Sequence, residues 1–274
     1  MTIKQPKKCK EACIMKDLSS ICYLSVSLNE DGRLSFGEGI TEVTPAIRTL
    51  DDSRIVLEDR EADGPGELYY MYREMCREAD REGIRSRGLR YDITVIRPGK
   101  VGREYVKTVG HYHPAKPGTD YTFPEVYEVI NGKAHYLFQR PGEEAGAEEV
   151  IMIEALPGDK VLIPPNYGHI TINPGDDFLV MSNWVASDFS SVYEPLEKLG
   201  GGAYFEVEVD GRAQFEANPK YSNLPPLRKV PVVELRRFDL VKEVPMYQIF
   251  LRDPDKLDFL INPEKYSELV HIYS

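Results

Sequence analysis

Residues 110–139 read GHYHPAKPGTDYTFPEVYEVINGKAHYLFQ, and the fold turns on how this stretch is read. His111 and His113 stand two apart, so on an extended strand their side chains project to one face and can converge on one point. After an eleven-residue loop, Glu125 opens a β-rich run. Val126 to Ile130 and Lys133 to Phe138 flank Asn131-Gly132, the dipeptide most typical of a tight hairpin, so the two runs are expected to pair. A second patch, GDKVLIPPNYGHITIN at 158–173, offers strands at Lys160 to Ile163 and Ile170 to Asn173, with His169 beside the second. Imidazole nitrogens with one carboxylate suit divalent iron, zinc, nickel or manganese.

The β texture continues outward. Arg90 to Arg97 alternates and ends at Pro98-Gly99. Val150 to Ile153 and Phe178 to Trp184 are further strands, and Tyr204 to Val209 and Arg212 to Phe215 flank Asp210-Gly211 as another hairpin. Many short strands with Gly and Pro turns predict an all-β sandwich or barrel. Upstream, ELYYMYREMCREADREG (67–83) places Leu68, Met71, Tyr72, Met75, Cys76 and Ala79 at three- and four-residue steps, which predicts a flanking helix stopped by Gly83. Beyond Tyr221 the texture changes again, and Asn262-Pro263 reads as the start of a short final helix, with Asp253-Pro254 a similar start. The expected organisation is an N-terminal extension (1–32), a central domain (33–221) and a C-terminal appendage (222–274).

Composition sets outer limits. Among 274 residues, 34 Lys+Arg face 45 Asp+Glu, a formal net charge of −11. That balance argues against nucleic-acid or anionic-membrane binding, both of which need a basic face. No run reaches the length of a membrane span and no signal peptide is read, so a cytoplasmic protein is expected. The four cysteines suit reduced thiols rather than a disulfide framework, and Cys9, Cys13 and Cys22 match no closed zinc pattern. His135 and His271 lack companions and read as packing or surface residues. Glu143, Glu144, Glu148 and Glu149 read as a solvated turn, and Gly200-Gly201-Gly202 lacks the context of a phosphate loop.

The two histidine patches resemble the paired motifs of the cupins, double-stranded β-helix (jelly-roll) barrels. The chain matches with His111-x-His113, Glu125-x6-Gly132 and Gly158-x5-Pro164-x-Asn166-x2-His169-x3-Asn173. It departs in the eleven-residue loop before Glu125, where three or four residues are usual, and in Asn166, where glycine is usual. Asparagine tolerates left-handed backbone angles better than most residues. The run TVIRPGKVG (94–102), leading through Thr108-Val109-Gly110, is similar more narrowly to the cupin-type, metal-dependent glucose-6-phosphate isomerases of archaea and some bacteria. The similarity extends over roughly 33–221, from GITEVTPAIRTLDD to VDGRAQFEANPKY.

That resemblance implies one divalent metal ion per subunit on His111, His113, Glu125 and His169, with iron first and manganese, nickel, cobalt or zinc as alternatives. It implies a sugar-phosphate pocket formed by Thr94, Thr108, Gly110, Tyr127 and Tyr193, and a homodimer. The implied reaction is the glycolytic and gluconeogenic interconversion of glucose 6-phosphate and fructose 6-phosphate. Glu125 would either shuttle a proton through an enediol(ate), as the catalytic base and acid, or serve only as a ligand during a hydride shift. Lys116 reads equally as a phosphate partner or a solvated lysine. The family often carries a histidine shortly before the position of Tyr193, where this chain has SDFSS, and Trp184 stands near a place that can hold tyrosine. Other readings are a different metal-dependent cupin enzyme (a dioxygenase or another sugar-phosphate isomerase) and a non-catalytic sugar-binding cupin.

Overall fold

Seventeen strands run through residues 14–273, the part of the chain described by the computed structural model. β1 (Ile14–Asp17), β2 (Val26–Asn29) and β3 (Leu34–Phe36) form a small antiparallel sheet. They are followed by β4 (Ala46–Thr49), β5 (Glu67–Tyr72), β6 (Leu89–Ile96), β7 (Lys100–Val101) and β8 (Glu104–Tyr105). The central strands are β9 (Glu125–Asn131), β10 (Ala134–Pro141), β11 (Ala147–Ala155), β12 (Lys160–Ile163), β13 (Gly168–Ile172) and β14 (Leu179–Ala186). β15 (Tyr204–Val209), β16 (Arg212–Ala217) and β17 (Arg228–Lys229) complete the set.

Two walls make the barrel: a six-stranded sheet in the order β12-β9-β14-β6-β5-β4 and a four-stranded sheet in the order β13-β10-β11-β17. Tyr69, Ile96, Val129 and Met181 of the first wall pack against Tyr136, Phe138, Ile151 and Ile153 of the second. This closed two-sheet packing is the expected jelly-roll arrangement.

The Asp210-Gly211 hairpin forms as expected, and β15 pairs with β16 across it. Both turn residues have positive φ, 50° and 75°, as a type I′ turn requires. Asn131-Gly132 does not close a hairpin. β9 pairs with β12 and β14, whereas β10 pairs with β11 and β13, so the turn carries the chain from one wall to the other. Only Gly132 adopts positive φ (81°), while the Asn131 amide donates to Phe178 O at 2.7 Å. The dipeptide is spent on a corner.

The helix expected over 67–83 is a second correction. Residues 67–72 are β5, paired with β4 and β6, and regular helix is confined to Arg81–Ser86, with Gly83 inside it. Tyr70 and Tyr72 are buried in the core on one side of β5, while Leu68 and Tyr69 are buried and Met71 partly buried in the core on the other, Leu68 lying at a register irregularity in the pairing with β4. A strand apolar on both faces loses its two-residue alternation and imitates a helical stripe, and tyrosines favour the pleated surface.

The outer face of the six-stranded wall is covered by both ends of the chain. Met246, Tyr247, Ile249, Phe250 and Phe259 share one core with Leu18, Leu24 and Leu28 and with Tyr91, Ile93, Val126 and Trp184 of the wall. Trp184 stacks on Tyr247 and Phe250, and its indole N–H donates to Met246 O at 3.1 Å. The final helix expected at Asn262-Pro263 is instead two 3-10 turns, Pro263–Lys265 and Ser267–His271, and the α-helix of this segment lies earlier, at Met246–Arg252. Cys9 and Cys13 lie outside the described residues; Cys22 is buried and free, and burial pushes its thiol up to about 12.

His135 is not idle. Its Nδ1 meets the buried Glu206 at 2.8 Å and its Nε2 meets Glu154 at 3.0 Å. Burial lowers the imidazole pKa, but the two carboxylates outweigh it and raise it above the ordinary value of 6.5. The raised folded-state pKa makes this contribution full below the unfolded value and lost as pH rises through the folded one. His135→Gln is therefore expected to cost more stability at pH 6 than at pH 9 in urea denaturation. An equal cost at both would contradict the ionic role.

Candidate metal centre

Register explains how the ligands meet. Glu125 lies opposite Val185 and Ile163, and Tyr127 opposite Asn183 and Val161, so both point to the interior side of the six-stranded wall. His169 comes from β13 of the other wall. It exchanges backbone hydrogen bonds with His111, whose N–H donates to His169 O at 3.2 Å while His169 N–H donates to His111 O at 3.0 Å. His113 follows on the same extended segment. Gly110 permits the close approach: its φ is 77°, and a Cβ there would lie 2.4 Å from Ile170 Cγ1 and 3.0 Å from His169 O.

The long loop before Glu125 does not displace the carboxylate. It folds back on itself through Lys116 N–H to Tyr121 O at 2.8 Å and Phe123 N–H to Pro114 O at 3.2 Å. Phe123 O then accepts from His113 Nδ1 at 2.7 Å, which fixes that ring's tautomer and turns Nε2 inward. Asn166, in place of the usual glycine, takes a φ of 72° and is tied to the same loop, accepting from Thr122 N–H at 3.0 Å.

Ligand atoms of His111, His113, Glu125 and His169 all lie within 4.8 Å of one another. The His111 and His113 Nε2 atoms are 3.1 Å apart, and Glu125 Oε2 is 3.4 Å from His113 Nε2 and 3.2 Å from His169 Nε2. Glu125 Oε2 is buried and has no hydrogen-bond partner. Lone-pair donors this close are mutually unfavourable until a cation takes them, and a neutral-imidazole and carboxylate set suits a divalent first-row ion. Burial first, then His169 and His113, drives His111 well below its ordinary pKa, and burial lowers His169 as well. Burial pushes the Glu125 carboxyl up, but His113 and His169 beside it hold it well below the usual range. The donor set is therefore three imidazoles and an ionised carboxylate.

Thr94, Thr108, Gly110, Tyr127 and Tyr193 all line the cavity in front of these ligands. Thr171 N–H donates to Thr108 Oγ1 at 3.0 Å, which leaves the Thr108 hydroxyl proton free to donate. Tyr127 OH lies 3.3 Å from His169 Nε2, and burial, then Glu125, keeps the phenol protonated by raising it well above its ordinary value. The Tyr193 ring centre is 5.5 Å from that of His111. Phe189, from the SDFSS stretch, packs on His113 at 4.5 Å and stacks on Phe123 at 5.1 Å. Lys116 is committed elsewhere, to Glu264 at 2.8 Å and Asn262 at 2.7 Å. Trp184 is on the opposite face of the wall from the cavity.

The sequence reading missed Arg73, Arg90, Asn183 and Tyr69, which also line the cavity. Asp92, almost fully buried, holds Arg73 at 3.0 Å, Arg90 at 2.9 Å and the Glu74 N–H at 2.9 Å. Alternation along β6 puts Arg90, Asp92 and Thr94 on one face, a signal that was available. Arg73 was hidden by the misread helix.

Comparison with known proteins identifies a family. The glucose-6-phosphate isomerase (GPI) family model matches residues 51–222. Glucose-6-phosphate isomerase of Thermococcus litoralis is 32% identical over 196 residues, covering 69% of this chain and 94% of its own. The Thermococcus onnurineus enzyme of that name is 31% identical over 187 residues, covering 64% and 86%. Among solved structures, oxalate decarboxylase from Bacillus subtilis overlaps 48% of this chain and 28% of its own at a TM-score of 0.33 and 19% identity. With a family match spanning most of the chain and containing all four candidate ligands, the chain belongs to the cupin-type glucose-6-phosphate isomerase family.

Proposed function

We propose that this protein interconverts glucose 6-phosphate and fructose 6-phosphate in the cavity in front of Glu125, as a cytoplasmic, homodimeric enzyme of glycolysis and gluconeogenesis. The observation that carries the reading is the convergence of three imidazoles and one ionised carboxylate, with Glu125 Oε2 left without a hydrogen-bond partner. A single divalent ion, for which iron is the proposed metal, would be held by His111, His113, Glu125 and His169 and would polarise the C1 and C2 oxygens of the open-chain sugar. Glu125 is the group placed to take the C2 proton and return it to C1. Tyr127 OH, protonated and facing the same space, donates to a substrate oxygen as negative charge develops. Thr94 and Thr108 hydroxyls, the Gly110 backbone and Tyr193 OH bind the sugar and phosphate oxygens. Residues 33–221 are the proposed catalytic unit, with the flanking segments bracing its outer face; the family match at 51–222 supports this.

Metal-reconstituted protein supplied with fructose 6-phosphate should yield glucose 6-phosphate in a coupled dehydrogenase assay. No turnover with iron, manganese, nickel, cobalt or zinc would refute the reading. Light scattering behind a sizing column should return a dimer mass at micromolar concentration.

A further inference from the structure

A phosphate dianion entering a buried cavity needs a cation that is not already neutralised, and the cations around this cavity can be followed one by one. Arg73 and Arg90 share the buried carboxylate of Asp92. Lys116 is paired with Glu264. Arg48 differs: among the described residues it forms no ion pair, and its Nε is buried without a hydrogen-bond partner. Arg48 is half-buried on β4, opposite Tyr69, and Tyr69 is opposite Ile96. Directly opposed residues of an antiparallel pair share a face, so Arg48 belongs to the same interior face as Tyr69, Thr94 and Tyr127. Its guanidinium lies 5.9 Å from the Tyr193 ring centre, and that ring lies 5.5 Å from the His111 ring. Tyr193 and Tyr69 line the cavity, whereas Arg48 is not itself a lining residue and lies beside the Tyr193 ring. Along β6, the row containing Ile96 and the row containing Arg90 are at opposite ends of the strand, and Glu125 belongs to the second.

We infer that Arg48 is the cation that receives the substrate's phosphate, at the end of the pocket away from Glu125 and behind Tyr69 and Tyr193. The inference rests on the reading that the ligand is a hexose phosphate. With C1 and C2 beside Glu125, the C6 phosphate of an extended sugar reaches toward Tyr193. Its oxygens would meet Tyr69 and Tyr193 hydroxyls and the free guanidinium edge, a charge-assisted arrangement suited to phosphate. Arg48 acts on binding, at a distance from the bonds that change.

The test is calorimetric titration of metal-loaded protein with inorganic phosphate, together with steady-state kinetics on fructose 6-phosphate. Arg48→Gln should weaken phosphate binding about 10- to 100-fold and raise KM by a similar factor, with kcat and metal content close to wild type, the signature of a lost uniform binding contact. Arg48→Lys, which keeps the charge and the fold but not the fork, should recover part of both. Equal phosphate affinity in wild type and Arg48→Gln, or no phosphate binding by either, overturns the inference. Arg48-dependent phosphate binding in a wild type that does not turn over fructose 6-phosphate would uphold the anion site and refute the isomerase reading. Normal turnover with an unchanged KM in Arg48→Gln would do the reverse.

Discussion

Glu125→Gln is expected to lower fructose 6-phosphate turnover by about 10²- to 10⁴-fold, the span associated with loss of a positioned acid–base group. Glutamine preserves the shape and one ligating oxygen but cannot accept a proton. The neighbouring imidazoles hold Glu125 ionised in the unsubstituted site, so the wild-type carboxylate is in the form a base requires. His111→Ala and His169→Ala should fail differently, losing bound metal and activity together. These two residues are joined backbone to backbone and carry half of the ligand set. Metal content by mass spectrometry separates the two outcomes. Near-normal turnover by Glu125→Gln with metal retained would remove Glu125 from the proton-transfer step, and full metal content in either histidine variant would break the ligand set.

The second large effect concerns the far side of the wall. Trp184→Ala is expected to cost about 3–5 kcal/mol, the usual range for deleting a large buried aromatic side chain. Trp184 is fully buried, stacked on two aromatic rings and hydrogen-bonded through its indole nitrogen. Removing residues 223–274 should be worse still. It strips Met246, Tyr247, Phe250 and Phe259 from the wall and exposes Tyr91, Trp184 and Val126 together. The buried Glu128 carboxylate would also lose the Met246 N–H that donates to it at 2.9 Å. The truncated chain is expected to be insoluble or to melt far below the full-length protein. A soluble truncation with unchanged melting and activity would show that the appendage does not support the wall.

These two faces differ in how well they can be read from the sequence. The candidate pair His111 and His113 is legible because a strand aims i and i+2 at one point, which needs only local geometry. Thr94, Thr108 and Tyr193 were legible through resemblance, and the cavity contains them. The arginines were not. Arg73 follows a strand buried on both faces, whose loss of alternation imitates a helix, so its place at the cavity could not emerge. Arg48 sits on an edge strand of four residues, too short to show a period, and its importance arises from partners it lacks rather than from a motif. Asn131-Gly132 misled for a different reason: a turn dipeptide announces a bend, but whether the flanking strands then pair is settled by the other strands competing for them. Trp184 illustrates the same limit, since only the tertiary fold brings Met246 and Tyr247 to its indole ring.

In the proposed mechanism, one metal ion held by His111, His113, His169 and Glu125 is required for isomerisation. The most direct measurement is stoichiometric: strip the protein with a chelator, add ferrous iron in increments, and follow fructose 6-phosphate conversion at each step. The stripped protein is expected to be inactive, and activity to rise linearly and saturate at one ion per chain. Full activity after chelation, or a rise that continues well past one equivalent, would contradict the mechanism.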